Sequence, residues 1–257
     1  MACGLQAVGP VSATVPPEVV ERIRRSRRYP RPTQFDYLHV KRLVEDLAAA
    51  IAGLGDVRDV LDVYCGTRPY EDLFPAGAKV VGLDVDRPGY GYGVADVLTN
   101  EFLPFADESF DALMCTQAFH YIMEPEPAIA EIRRVLRPGG AVLITVPVVW
   151  EYDRENPEHH YTEPLLRRLF EGWDELRVVE SGGWGVSWAA VTATLLQHLE
   201  ESAAARRALR PLARPLFAAA YLAVNGVGIA LEAVARRFVR GRLRLPMNLL
   251  LMARRPT

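Results

Sequence analysis

The 257-residue chain is 50% hydrophobic and 24% charged with a formal charge of −2, proportions that exclude a disordered or fibrous protein and suit one large α/β domain as well as two smaller ones. Its three cysteines, Cys3, Cys65 and Cys115, are odd in number, far apart and in no CxxC pair, which supports neither a disulfide framework nor a zinc knuckle and fits a reducing compartment. The charge is divided, because residues 206–257 hold eleven arginines against one acid, Glu232, a balance of +10 that leaves −12 for residues 1–205, and such asymmetry marks an anionic contact or a mutual docking surface.

In chain order, the first twenty residues lack a basic segment followed by an unbroken apolar run, so no secretory signal is expected and a cytoplasmic location is assigned. A basic cluster from Arg22 to Arg31 leads into the proline-stiffened, aromatic stretch Tyr29 to Tyr37. Residues 1–35 are therefore expected to be an arm that lies over a site as a lid or simply docks. Residues 36–53 bring Leu38, Leu43, Leu47, Ala50 and Ile51 to one face at helical spacing, with Gly53 or Gly55 as the stop. Short apolar strands are expected at 59–63, 79–84 and 110–116. A helix over 127–136 should end at the breaker Pro138-Gly139-Gly140, followed by a strand over 141–147 buried on both faces. Two later strands, 175–180 and 248–253, flank a mostly helical insertion. Strands alternating with helices imply a mostly parallel, doubly wound sheet, whose ligands sit beyond the carboxyl ends of the strands. The division expected is an arm (1–35), a core (36–185), an insertion (186–246) and a final core strand (247–257).

Inside the insertion, Pro215 to Leu231 carries no charge. Seventeen residues interrupted by Asn225-Gly226 and Gly228 fall short of the roughly 20 needed to span a bilayer. Ala218-Ala219-Ala220 and Gly226-Val227-Gly228 suit close helix packing, so a self-packed or homodimer-forming hairpin is the first expectation. Peripheral membrane contact through 206–246 is the second, because arginines flank the apolar run.

The glycine turn Val60-Leu61-Asp62-Val63-Tyr64-Cys65-Gly66-Thr67, the strand Val80 to Asp84, Ala95-Asp96-Val97, Leu103-Pro104-Phe105, Asp107 to Asp111 and Glu131 to Gly140 stand in one order and spacing. Together they resemble the class I S-adenosylmethionine-dependent methyltransferases, of the small-molecule methyltransferase type 11 kind, over roughly residues 57–180. The resemblance implies a Rossmann-like α/β fold with an antiparallel last strand and a helical insertion before it, and S-adenosyl-L-methionine as cofactor. It further implies cofactor contacts at Asp62, Tyr64, Cys65, Gly66, Asp84, Val85, Asp96, Val97 and Gln117. Gly66 lets the backbone approach a ligand where a Cβ would obstruct it; Asp84 can accept both ribose hydroxyls, and Asp96 can meet the adenine edge. Asp62 reads equally as a buried acid tying the turn and as a cofactor contact. Two departures from the pattern are Tyr64, where the family usually has its first glycine, and Pro69, where a later glycine often lies.

Methyl transfer to a hydroxyl needs alignment, exclusion of water and a base. His120, after the third strand, and His159 and His160, in the loop after residue 147, are the candidate bases, each weighed against a structural or surface role. Tyr29, Tyr37, Tyr121 and Tyr161 are the candidate acceptor contacts. The reaction expected is transfer to an oxygen, less readily a nitrogen, of a small molecule or sugar, without a metal constellation or nucleic-acid partner. The alternative is a methyltransferase-fold protein that binds the cofactor or another ligand without methylating.

Overall fold

The computed structural model describes residues 15–87, 93–151, 153, 155–204, 210–239 and 244–257. The helices α1 (Pro17–Arg28) and α2 (Tyr37–Ala52) lead into β1 (Asp59–Val63) and β2 (Lys79–Val85). Then come β3 (Val97–Thr99), β4 (Phe110–Thr116), α3 (Pro125–Val135), β5 (Leu136–Pro147) and α4 (Glu163–Leu169). The chain closes with β6 (Asp174–Ser181), α5 (Trp184–Ala204), α6 (Arg210–Phe238) and β7 (Asn248–Arg254). The seven strands lie in the order β3-β2-β1-β4-β5-β7-β6. Strands β1 to β5 pair in parallel, and β7 runs antiparallel between β5 and β6. This is the mostly parallel Rossmann-like sheet with an antiparallel last strand that the sequence implies.

The strand period of two sorts the core into two layers. Leu61, Val63, Leu113, Cys115, Val142, Ile144 and Leu251 point to the side covered by Ile129 and Ile132 of α3 and Leu166 of α4. Their neighbours Val60, Ala112, Met114, Leu143 and Leu250 point to the opposite side and meet Leu43, Leu47 and Ile51 of α2. A sheet buried on both faces explains why the central strands read as continuous apolar runs.

Three expectations change in detail. The helix ends at Val135 and extended backbone begins at once, so Pro138-Gly139-Gly140 lies within β5. The ladder absorbs these residues in an irregularity, with Phe110 opposite Leu136 and Ala112 opposite Ala141. Gly139 has φ 76°, and a Cβ on Gly140 would sit 2.8 Å from the Arg137 carbonyl. The arm carries a regular helix, α1. The insertion already begins helically at Trp184 and is a hairpin of α5 and α6, with residues 205–209 and 240–243 outside the described set.

The order of strands reverses between β1 and β4, where parallel connections leave the sheet in opposite directions. At such a switch the strand ends diverge and open a crevice. The candidate site occupies it.

Candidate active site

Beyond Val63 the chain turns through Tyr64 to Arg68 and lies against the end of β2. Tyr64, Gly66 and Arg68 have φ of 57°, 54° and 55°. This is backbone territory that glycine enters freely and that costs an L-residue about 1 kcal/mol. Tyr64 thus keeps the glycine conformation of the motif and adds a side chain to it, which packs partly against the core. Cys65 N–H donates to the Leu83 carbonyl (3.1 Å) and Gly66 N–H to Asp84 Oδ2 (2.9 Å). Gly82 allows this approach, because a Cβ there would lie 2.9 Å from Cys65 Sγ. Arg68 clamps the turn to β2: its guanidinium donates to Asp96 Oδ2 (2.8 Å) and the Val80 carbonyl (2.8 Å), and its Nε pairs with Glu71 (2.8 Å). From above, α1 is pinned to the same turn by Arg24 Nε donating to the Thr67 carbonyl (2.8 Å).

A cleft of about 990 Å³ opens over these strand ends. One end is lined by Asp62, Tyr64, Cys65, Gly66, Asp84, Val85 and Gln117, seven of the nine residues assigned to the cofactor. Asp84 is buried, and its Oδ1 also accepts from Val85 N–H (2.8 Å). An ionised carboxylate accepts hydrogen bonds only, the chemistry that ligand hydroxyls require of a partner. Asp62 is buried too. Removal from water pushes its carboxyl up to about 8, against the opposing pull of Arg68, so at neutral pH it is mostly protonated until a cationic group arrives. Burial likewise pushes the Cys65 thiol up and the Tyr64 phenol up to about 12, leaving both uncharged. Gln117 takes φ 55° and is fixed by its N–H donating to the Thr145 carbonyl and its amide to Thr145 Oγ1 (3.0 and 3.2 Å).

Asp96 and Val97 are placed elsewhere. The Asp96 carboxylate accepts from Gly82 N–H (2.8 Å) as well as from Arg68, so it braces β2 from behind the turn, and Val97 begins β3 opposite Leu83. Neither lines the cleft. Asp96 is spent on the scaffold because the Arg68 guanidinium, itself largely buried, needs an anionic partner.

The rest of the cleft is lined by Ile23, Leu43, Tyr121, Met123, Trp150 and Pro157 with His39 and His120, and by the polar Arg27, Arg87, Asp153 and Asn156. His120 is buried, its Nδ1 has no hydrogen-bond partner, and its Nε2 stands 3.9 Å from Glu158. Burial holds the imidazole well below its ordinary range, to about 4, with Glu158 pulling the other way. His159 and His160 do not line the cleft. His159 is bound to the Met123 carbonyl through Nε2 (3.1 Å), and His160 is exposed and pairs with Glu158 (3.3 Å). Of the four tyrosines, only Tyr121 lines the cleft. Tyr29 is exposed, donating to Asp72 (3.3 Å); Tyr37 packs with the small Leu38 cluster; Tyr161 is core, its ring 5.5 Å from Phe119. Of these three hydroxyls, that of Tyr29 is paired outside the cleft and that of Tyr161 is buried without a hydrogen-bond partner.

His39 and Trp150 are among the cleft residues that the sequence reading does not assign to the site. His39 leads the apolar stripe of α2 at positions 39, 43 and 47, and Trp150 follows β5 by three residues. Their rings meet at 5.1 Å. Neither His39 nitrogen has a hydrogen-bond partner, although the Asn248 amide is its polar neighbour, and burial draws its imidazole down to about 4. A histidine heading an otherwise apolar helix stripe was the available signal. Among the described residues, no group of three or more His, Cys, Asp or Glu is arranged to hold a metal ion.

The sheet, its switch-point cleft and the clamped glycine turn have the arrangement of the class I S-adenosylmethionine-dependent methyltransferase fold. Residues 61–144 match the family described as a methyltransferase domain. The chain is 36% identical to a demethylmenaquinone methyltransferase of Renibacterium salmoninarum over 144 residues, 50% of this chain and 55% of that protein. It is 31% identical to a ubiquinone/menaquinone biosynthesis C-methyltransferase of Hahella chejuensis over 121 residues, 40% of this chain and 47% of the relative. The chain thus spans about half the length of these curated relatives. Among solved structures, the [4+2]-cyclase SpnF superposes with a TM-score of 0.51 at 21% identity, over 86% of this chain and 83% of that one. That likeness concerns the fold.

Proposed function

We propose that this protein transfers a methyl group from S-adenosylmethionine to a small, largely apolar acceptor, at a ring carbon beside a hydroxyl group. The observation that carries the reading is the cleft, with buried acids and an open glycine turn at one end and, over the rest, aromatic and apolar side chains interspersed with Arg27, Asp153 and Asn156. The cofactor fits the first end. Gly66 has open space where a Cβ would point, Asp84 offers acceptors, and Asp62 gains an ionised form when a cation neighbours it. When bound, S-adenosylmethionine supplies an electrophilic methyl on a sulfonium. The carbon assignment draws on the relatives, whose names specify menaquinone and C-methylation; the apolar wall suits such a ring better than a sugar.

The protein's contribution is mostly positioning and exclusion of water, since in-line displacement gains most from alignment. Trp150, Tyr121 and Met123 confine the acceptor. Its hydroxyl proton passes to His120, which lines the cleft and is neutral at working pH. The imidazolium so formed is stabilised by Glu158. Deprotonation enriches both the oxygen and the neighbouring carbon; transfer to carbon is completed when that carbon loses its own ring proton and the hydroxyl is restored, and the oxygen acceptor expected from the sequence stands as the second reading. Incubation with methyl-labelled cofactor and reduced demethylmenaquinone, followed by mass spectrometry and NMR of the product, decides between them. Label on a ring carbon is the expected result. A labelled methyl ether would assign the oxygen, and cofactor binding without any transfer would favour a non-methylating protein.

A further inference from the structure

The α5–α6 hairpin leaves its outer surface uncovered. On α5 the residues Trp184, Trp188, Val191, Leu195 and Leu199 form one exposed stripe, spaced three or four apart and therefore on a single helix face. On α6 Leu216, Leu222, Ile229 and Val234 are each more than half exposed. Between Pro215 and Leu231 no charge interrupts that surface. Only the inner side of α6 is engaged. Gly228 meets α5 and α2, where an added Cβ would lie 2.7 Å from Ala189 and 2.9 Å from Leu38, and Asn225 donates to the carbonyls of Pro32 and Gln34. The self-packed hairpin expected from the sequence is thus half realised, with the helices packed on each other and the outer face bare.

We infer that this face docks on an anionic lipid bilayer, lying along its surface. An uncharged apolar surface of this extent is rare on soluble monomers, and three observations choose its cover. First, arginines bracket the apolar run on both sides, at 206, 207, 210 and 214 before it and at 236, 237, 240, 242 and 244 after it, a pattern complementary to anionic headgroups. Second, a symmetric pair of chains joined through this face would bring Arg214, Arg236 and Arg237 of one copy toward those of the other, since an isologous interface meets itself. Third, Trp184 and Trp188, each about 40% exposed on the α5 stripe, are side chains suited to a membrane–water boundary.

By length and composition α6 could cross a bilayer, but its inner side is fixed along α5 and the globular core. Crossing would carry the core with it. Docking lengthwise needs no such movement. The hairpin also reaches the cleft rim: His198 of α5 bonds Glu151 (3.0 Å), next to cleft-lining Trp150. The bilayer would then lie near the apolar end of the cleft.

Flotation of the full chain with vesicles of phosphatidylcholine alone, or of phosphatidylcholine with phosphatidylglycerol, tests the inference, alongside light scattering and cofactor calorimetry on the same samples. The protein is expected to float with the anionic vesicles, and high salt is expected to weaken the association. The exposed-position variant Leu216→Glu/Leu222→Glu/Ile229→Glu should stop floating while its cofactor affinity stays unchanged. Arg214→Gln/Arg237→Gln should lower partitioning on anionic vesicles about thirtyfold. The inference is overturned if the wild type ignores anionic vesicles, and a dimer mass in that case assigns the face to a second copy. It is equally overturned if flotation is indifferent to anionic lipid, or if the triple Glu variant floats like the wild type with its fold intact.

Discussion

The cofactor end of the cleft and the α5–α6 hairpin solve opposite problems in one chain. At the cofactor end nearly every polar group is tied inward: Arg68 to Asp96 and Val80, Asp84 to Gly66 and Val85, Gln117 to Thr145. Such a network fixes backbone conformations, including the left-handed Tyr64, that no isolated turn would hold. The hairpin has few such ties on its outer side and is held through small residues at Gly185, Ala189 and Gly228. One region is specified by hydrogen bonds and conformational detail, the other by close helix approach. Damage to one should leave the other largely working.

The largest effect is expected from Gly185→Ala. Its Cβ would collide with the Gly228 carbonyl and the Glu232 backbone, and overpacking against backbone costs up to about 3 kcal/mol. Thermal denaturation should show this loss while calorimetry shows cofactor affinity retained; an unchanged Tm would mean the helices are not in close contact. Next, Asp84→Ala should weaken cofactor binding by about 2 to 3 kcal/mol, the range for hydrogen bonds to a charged group, with little change in vesicle binding. A loss below tenfold in dissociation constant would remove Asp84 from the binding account.

A third expectation concerns the acceptor end. His120→Ala should lower turnover more than cofactor affinity. In the wild type the base form is present above about pH 4, so the acid limb of the rate profile should lie near 4 and not near the ordinary histidine value. The stability linkage has the same direction. For His39 and His120, whose folded values are depressed from 6.5, the contribution is full above 6.5 and is lost as pH falls through about 4. His39→Leu should flatten stability over that window; a slope equal to the wild type's would show that His39 does not titrate as described. The smallest effect is expected from Tyr64→Gly, which relieves about 1 kcal/mol of backbone strain and removes side-chain packing of opposite sign. Denaturation should move little, and a large rise in cofactor affinity would reveal Tyr64 as an obstruction.

Legibility follows the same division. The central strands were readable because burial on both faces makes them continuous apolar runs, and the glycine turn because its spacing is tied to backbone geometry. β3 and α4, three and seven residues long, give too few periods to show. Sequence order does not show that Asp96 pairs with Arg68, nor that Tyr161 packs on Phe119, because a loop tyrosine can turn into the core as readily as toward a cleft. His39 lay hidden among the apolar positions of a core helix. The hairpin's helical character was legible, but which side of α6 is covered depends on its contact with α5, far away in sequence.

The proposed S-adenosylmethionine site at the glycine turn, Asp62 and Asp84 is tested by calorimetric titration of the wild type with that cofactor, repeated in buffers of different ionisation enthalpy. Asp62, raised to about 8 by burial, should ionise as the cationic ligand arrives. The account predicts saturable one-site binding with net proton release at neutral pH, fading above about pH 8 where the carboxyl is already ionised. Absence of binding at millimolar cofactor, or binding with no proton release at any pH, would contradict it.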